Sequence, residues 1–259
     1  MRGIMVNLVI SGCNGYMGRV VAALAEADPD ITVVAGIDVV NTKTDAYPVH
    51  ADPAGFTGAA DVVIDFSSPM ALDSLLAFST SRGIPLVLCT TGYTSEQLDA
   101  IADASKRVPL FRSGNMSLGV NLLVDLVKRA CSVLGAAFDV EIVERHHRRK
   151  VDAPSGTALM LADAAASRLP YDPVYAYNRQ SVRQPRSADE IGISSVRGGT
   201  IVGQHEVIFA GLNEVVELRH SAESRDVFAS GAIAAAKFMA QVETPGLYDM
   251  ADVLKMYSE

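Results

Sequence analysis

Short apolar runs alternate with amphipathic stretches through the first half of the chain. Residues 7–11 (NLVIS), 31–38 (ITVVAGID), 61–67 (DVVIDFS) and 85–90 are apolar on both faces and too short for helices. Residues 17–26 and 71–82 carry the helical pattern between them. Strands that are apolar on both faces and separated by helices build a parallel sheet covered on each side. The first half therefore predicts a doubly wound α/β domain.

The pattern changes after Ser117. A helix over 118–134 leads to a strand over 138–145, then a helix over about 157–169. Three β-like runs follow, 191–196, 206–210 and 215–220, with no helix between them. Consecutive strands of this kind predict a mixed or antiparallel sheet, hence a second domain. Residues 170–190 are polar, contain Pro and Arg, and read as a long loop, a feature often functional or intersubunit. A helix over 227–241 and the segment GLYDMADVL close the chain, and no internal repeat or low-complexity stretch is visible.

Composition narrows the function classes. The chain has 259 residues, 49% of them hydrophobic, which suffices for one large or two modest cores. A formal net charge of -8 argues against non-specific nucleic-acid binding, which needs Lys and Arg to neutralise phosphates. A local basic site for a small anion remains compatible with that charge. No stretch is long and apolar enough to span a bilayer. MRGIMVNLVI leads straight into a glycine turn and lacks the features of a signal peptide, so residues 1–5 read as an extension ahead of the first strand. Cys13, Cys89 and Cys131 are odd in number and show no CxxC spacing. A disulfide framework or zinc site is not expected, and a reducing cytoplasm is.

Two segments carry candidate chemistry. Gly12, Cys13, Asn14, Gly15, Tyr16, Met17 and Gly18 form GCNGYMG, a GxxGxxG variant of the dinucleotide fingerprint. Glycines alone are weak evidence, but these follow an apolar strand and open a helix, where backbone N–H groups can meet a pyrophosphate. The bland alternative is an ordinary strand-to-helix turn. Asp38 ends the second strand, where an acid bonds ribose hydroxyls and repels a 2′-phosphate. It also reads as a solvated strand-end carboxylate. Lys43 is the nearest cation beyond it.

The second segment is EIVERHHRRKVDAPSGTA, residues 141–158. It combines His146 and His147 with Arg145, Arg148, Arg149 and Lys150, and then a Ser155-Gly156-Thr157 turn before a helical run. A helix N-terminus with hydroxyls and a nearby Lys is a carboxylate receptor. Either histidine is a candidate proton donor; the cations lower its pKa and a dianionic substrate raises it. Bland readings compete. A basic run is most often a solvated face. A nucleic-acid patch lacks interleaved aromatics. Zinc on Glu144, His146 and His147 is disfavoured, because adjacent strand residues point to opposite faces. Cys131 lies at helical spacing among apolar residues and reads as core rather than as a nucleophile.

Taken together, the two segments are far more specific than either alone. ERHHRRKVDAPSGTA resembles the central motif of the 4-hydroxy-tetrahydrodipicolinate reductases, roughly E-x-H-H-x-x-K-x-D-x-P-S-G-T-A. GCNGYMG, VIDFSSP, TTGYT, GNMSLGVN, SVRGGTIVGQHEV and GLYDMADVL agree with the family in order, so the resemblance spans essentially the whole chain. It implies α/β architecture: an N-terminal Rossmann-like dinucleotide-binding domain plus a second α+β domain with a mixed sheet. The expected division is 1–117 with 227–259, and 118–226. The implied activity is NAD(P)H-dependent reduction of a small cyclic imine dicarboxylate in lysine and diaminopimelate biosynthesis, by a homotetramer in the family's usual form. His146 would be the proton donor and Lys150 a second acid or charge stabiliser. His147, Ser155, Gly156 and Thr157 would hold substrate carboxylates. The cofactor would lie on residues 12–17, with Asp38 at the ribose. Cys89, Thr90, Thr91, Ser113, Gly114, Asn115 and Met116 would line its nicotinamide end.

The chain departs from the family pattern at three places. Tyr16 stands where the family often has Arg, and Val39 where members favouring NADPH often carry Arg. Both changes remove partners for a 2′-phosphate, so NADH is expected to be preferred, or used no worse than NADPH. Cys89 replaces a common Gly before Thr-Thr. Readings from other classes are a homoserine or semialdehyde dehydrogenase, a relative with dehydratase activity alone, and a non-catalytic nucleotide-binding regulator.

Overall fold

The computed structural model describes residues 5–40 and 46–257. The chain divides into two units: Met1–Met116 with Asp226–Glu259, and Ser117–Arg225.

The first unit opens with β1 (Val6–Ser11), α1 (Tyr16–Glu26), β2 (Ile31–Ile37), β3 (Val49–His50) and β4 (Val62–Asp65). Then come α2 (Leu72–Arg82), β5 (Leu86–Leu88), α3 (Ser95–Ala104) and β6 (Pro109–Arg112). In the second unit are α4 (Leu118–Leu134), β7 (Asp139–His146), α5 (Gly156–Ala166), β8 (Val174–Ala176), β9 (Glu190–Arg197), β10 (Gly203–Ala210) and β11 (Val215–Ala222). The chain ends in the first unit with α6 (Asp226–Met239), β12 (Gly246–Tyr248) and α7 (Met250–Lys255).

The first unit is a seven-stranded sheet in the order β12-β6-β5-β4-β1-β2-β3, parallel throughout. The order reverses between β1 and β4. Above the carboxyl ends of that strand pair, doubly wound sheets bind their ligands. Leu8, Val9, Ile10, Val62, Val63 and Ile64 are completely buried, as strands covered on both faces must be. α6 packs over β4 and β5 and against α1, while α2 packs on β5 and α3. Lys237 of α6 pairs with Asp28 at 2.6 Å and Asp30 at 3.5 Å, which fastens it to the turn between α1 and β2.

The second unit has five strands in the order β11-β10-β7-β9-β8. β11, β10 and β7 pair antiparallel, and β7, β9 and β8 pair parallel, so the sheet is mixed. Its core joins Leu123, Val127 and Cys131 of α4, Leu161 and Ala165 of α5, and Val140, Ile142, Val207 and Phe209 of the sheet.

Several elements differ from the sequence expectation. The stretch 170–190, read as loop, contains β8, three residues that gain a parallel partner in β9. β3 and β12 are as short, and only sheet pairing defines them. β6 begins on Pro109, where the missing N–H costs least. The sequence expectation has no helix over 95–104, yet α3 opens on a capping box, Thr94 with Gln97, and buries Ile101 and Ala104. The strand expected over 61–67 stops at Asp65, because that carboxylate accepts from the Ser67 N–H and hydroxyl and turns the chain.

Candidate functional site

The glycine loop begins where β1 ends. Gly12 has φ +75°, and a Cβ there would lie 2.6 Å from the Phe66 carbonyl oxygen. Gly12 is therefore fixed by both its conformation and the close passage of the strand β4 exit. A Cβ on Gly18 would collide with the Gly12 carbonyl oxygen, so the helix packs directly on the loop. Gly15 differs: it caps α1 with φ -69° and offers no side-chain capping bond. No side chain caps the start of α1, whose positive dipole end suits an external anion.

Asp38 ties this loop to the end of β2. Its two oxygens accept from Asn14 N at 2.9 Å and from Val40 N at 3.0 Å. Each carboxylate oxygen keeps a second lone pair for a hydroxyl donor. Val39 is 89% exposed, and the exposed Tyr16 donates to Asp226 at 3.1 Å. Around these residues runs a groove of about 1020 Å³ lined by Gly12, Gly15, Asp38, Val40, Ser67 and Met70, among others. Among its described lining residues Arg19 is the one cation. Lys43 lies outside the described residues.

The remaining residues expected at the cofactor follow β5 and β6, at the same carboxyl edge of the parallel sheet. Thr90 donates to Asp65 at 2.7 Å, and Cys89 N donates to the Asp65 carbonyl at 2.9 Å. Buried Asp65 thereby joins the loops leaving β4 and β5. Thr91 and Gly114 are exposed, Met116 is buried, and Ser113 donates to the Asn115 carbonyl at 2.9 Å. An uncapped helix start, glycines that exclude a Cβ, and a strand-end acid fit a dinucleotide. Thiol chemistry fits poorly. Burial, with help from Asp38, pushes Cys13 to about 11, and burial pushes Cys131 to about 11. Burial and then Asp65 push Cys89 well above its ordinary range.

The histidine cluster is built by strand parity in the second unit. Val140, Ile142, Glu144 and His146 alternate onto the buried face of β7. The register sets His205 of β10 opposite Glu144, and Arg197 of β9 opposite His146. Glu144 is completely buried and engaged on every side. Arg197 donates to both its oxygens at 2.7 Å, Ser155 N donates at 3.1 Å, and His146 Nδ1 lies 2.6 Å from Oε2. Burial alone raises this carboxyl; hydrogen bonds from Arg197, His146 and Ser195 overcome it and hold the pKa at about 2. Glu144 is therefore an anion at neutral pH.

His205 stands edge-on to His146, with ring centroids 5.1 Å apart. Its Nε2 is 3.0 Å from Ser155 Oγ. Burial, then the neighbouring His146, lower its pKa to about 4, so it is neutral near pH 7. Its Nδ1 has no hydrogen-bond partner among the described residues. Ser155 is buried and caps α5, accepting from Ala158 N at 3.2 Å, whereas Gly156 is exposed and Thr157 half-buried. The outward part of the expected carboxylate turn is thus Gly156 and Thr157, with Ser155 holding it in place.

After β7 the chain turns sharply. Lys150 N donates to the His147 carbonyl at 3.1 Å, and Lys150 Nζ pairs with Asp152 at 2.9 Å. His147 is half-buried, and its pKa is lowered by burial, then by Arg149, Arg225 and His146. Its Nδ1 is also without a partner among the described residues. Arg148 and Arg149 are exposed.

Sequence reading picked out His146, His147, Lys150 and the Ser-Gly-Thr turn, and the structure gathers them in one region. It did not find Arg197, His205, Asp65 or Arg19, and it weighed Glu144 only as a metal ligand. The signal for Glu144 was its shared parity with Val140 and Ile142. For Arg197 and His205 only strand register reveals the meeting.

Comparison with known proteins bears on both units. The family model described as "Dihydrodipicolinate reductase, N-terminus" matches residues 6–116, and "Dihydrodipicolinate reductase, C-terminus" matches residues 119–254. A 4-hydroxy-tetrahydrodipicolinate reductase of Caldanaerobacter subterraneus subsp. tengcongensis is 53% identical over 97% of this chain and 99% of its own. The enzyme of the same name from Clostridium novyi is 46% identical over the same shares. Among solved structures, a dipicolinate-bound dihydrodipicolinate reductase from a Paenisporosarcina species is similar with a TM-score of 0.79 and 25% identity. That match covers 95% of this chain and 98% of the other.

Proposed function

The chain belongs to the dihydrodipicolinate reductase family, and from that premise we propose that it reduces 4-hydroxy-tetrahydrodipicolinate to tetrahydrodipicolinate with a reduced nicotinamide cofactor, in lysine and diaminopimelate biosynthesis. The carrying observation is the cluster of His146, Glu144, Arg197 and Lys150 beside the N-terminus of α5.

The cofactor's pyrophosphate would be held at the N-terminus of α1, over Gly12, Cys13, Asn14, Gly15, Tyr16 and Met17. Asp38 would bond the ribose. Cys89, Thr90, Thr91, Ser113, Gly114, Asn115 and Met116 would face the nicotinamide. When bound, that ring supplies a hydride. The exposed Val39 and the tyrosine at position 16 offer a 2′-phosphate nothing, and Arg19 is the groove's one described cation. NADH is therefore used at least as well as NADPH.

The substrate is a small cyclic imine bearing two carboxylates. Gly156 and Thr157, at the start of α5, and His147 receive them, with Ser155 as the cap that shapes the turn. Loss of water conjugates the ring, and the incoming electron pair places negative charge on it. Lys150, helped by Arg148 and Arg149, stabilises that charge, and His146 delivers the proton. The enzyme works as a cytoplasmic homotetramer, and no helix among the described residues is long and apolar enough to cross a membrane.

The test is oxidation of NADH and of NADPH by the purified protein with enzymatically generated substrate. Substrate-dependent oxidation with kcat/KM for NADH equal to or above that for NADPH is expected. His146→Gln and Lys150→Ala should each lower kcat about a hundredfold or more. Absence of turnover with both cofactors, despite tight cofactor binding, would overturn the reading in favour of a nucleotide-binding regulator.

A further inference from the structure

We propose that Glu144 is a positioning residue that fixes the tautomer of His146, so that Nδ1 keeps its hydrogen throughout the cycle and the transferred proton leaves from Nε2. The inference rests on the reading of His146 as proton donor.

It starts from what Glu144 can and cannot do. An ionised carboxylate only accepts hydrogen bonds. Arg197 takes both oxygens through its fork at 2.7 Å, and Ser155 N adds a third donor at 3.1 Å. The carboxylate is completely buried and held as an anion. His146 Nδ1, 2.6 Å from Oε2, can then make that contact only as an N–H donor. The neutral imidazole is consequently the Nδ1–H tautomer, with its lone pair on Nε2.

The far side of the ring agrees. Nε2 lies beside Gly203, where a Cβ would come within 3.1 Å of it. A side chain at position 203 would press on that nitrogen, and glycine avoids it. The groups facing His146 come from every packed element: Glu144 and His147 from its own segment, Arg197 from β9, His205 from β10, and Ser155 from the start of α5. Lys150 follows in the next turn. His205 is neutral, and Glu144 is the anion against the ring.

The step balances as follows. The Nε2–H bond of the imidazolium breaks, and its electron pair stays on the ring. The proton goes to the substrate atom that holds the electron pair left by reduction. His146 ends neutral with Nδ1–H still donating to Glu144, and a solvent proton restores Nε2–H.

Two measurements test this. In the wild-type protein labelled with 15N-histidine, long-range proton–nitrogen spectra at alkaline pH should show His146 protonated on Nδ1 and bare on Nε2, assigned by loss of the signals in His146→Gln. The opposite tautomer overturns the proposal, and this arm needs no folded Glu144 variant. Kinetically, Glu144→Gln should lower kcat about a hundredfold with KM changed little. Glu144→Asp, which keeps an acceptor for the ring, should recover much of that rate. A Glu144→Gln enzyme with unchanged kcat overturns the proposal. If His146→Gln turns over at the wild-type rate, the donor reading itself falls, whatever tautomer the spectra show.

Discussion

At Gly12 and Gly15 the same residue type answers two different demands. The φ of +75° at Gly12 and the Phe66 carbonyl 2.6 Å from its Cβ position exclude any side chain on internal grounds. Gly15 sits at φ -69°, open to any residue, and a Cβ there would meet the Gly12 carbonyl oxygen at 3.2 Å, a tight contact but a milder one than at Gly12. Gly12→Ala should therefore cost about 1–3 kcal/mol of stability and weaken nucleotide binding too. Gly15→Ala should lower the melting temperature less than Gly12→Ala while raising the Kd for NADH. Thermal melts and calorimetric titrations on both variants decide it; equal losses of stability would remove the distinction. The spacing of these glycines was legible because a tight turn and a close backbone approach admit no other residue. Asp65 was not, since its value lies in Thr90, a partner reached only through the sheet. Arg197 and His205 were hidden for the same reason.

Among elements, β7 shows what periodicity can and cannot convey. Its alternation marks a strand with one buried face, and the parity of Val140 and Ile142 carries Glu144 and His146 onto that face. Nothing in the pattern says that a buried carboxylate there will find Arg197. α3 adds a local signal, a complete capping box. Thr94 accepts from Gln97 N at 3.3 Å, and the Gln97 side chain accepts from Thr94 N at 3.1 Å. Thr94→Ala should cost about 1 kcal/mol in urea unfolding, with cofactor and substrate kinetics unaltered. A loss near zero would show that packing of Ile101 and Ala104, rather than the cap, defines the helix start. β3, β8 and β12 were illegible because two or three residues carry no period; their partners make them strands.

For the molecule as a whole, two buried groups make stability depend on acidity. His205 takes a proton at about 4 when folded, against an ordinary 6.5. Between those values the unfolded chain binds the extra proton, so stability falls as pH drops from 6.5 toward 4. Glu144 is held at about 2 against an ordinary 4.5, so a second loss runs from pH 4.5 down to 2. Melting temperatures should decline steadily below pH 6.5, and His205→Gln should flatten the upper part of that decline; identical pH profiles would show that other groups govern it. The division of the chain has a consequence on the ribosome. Residues up to 116 are made without α6 and β12, which follow the whole of the second unit in the chain. Until then the surface of β4 and β5 that α6 covers stays bare and β6 keeps an open edge, while residues 117–225 emerge as one uninterrupted unit. The nucleotide-type sheet is thus a sticky nascent intermediate while the second unit is made, and stalling or truncation ahead of α6 would deliver it to chaperones and proteases with that second unit already complete.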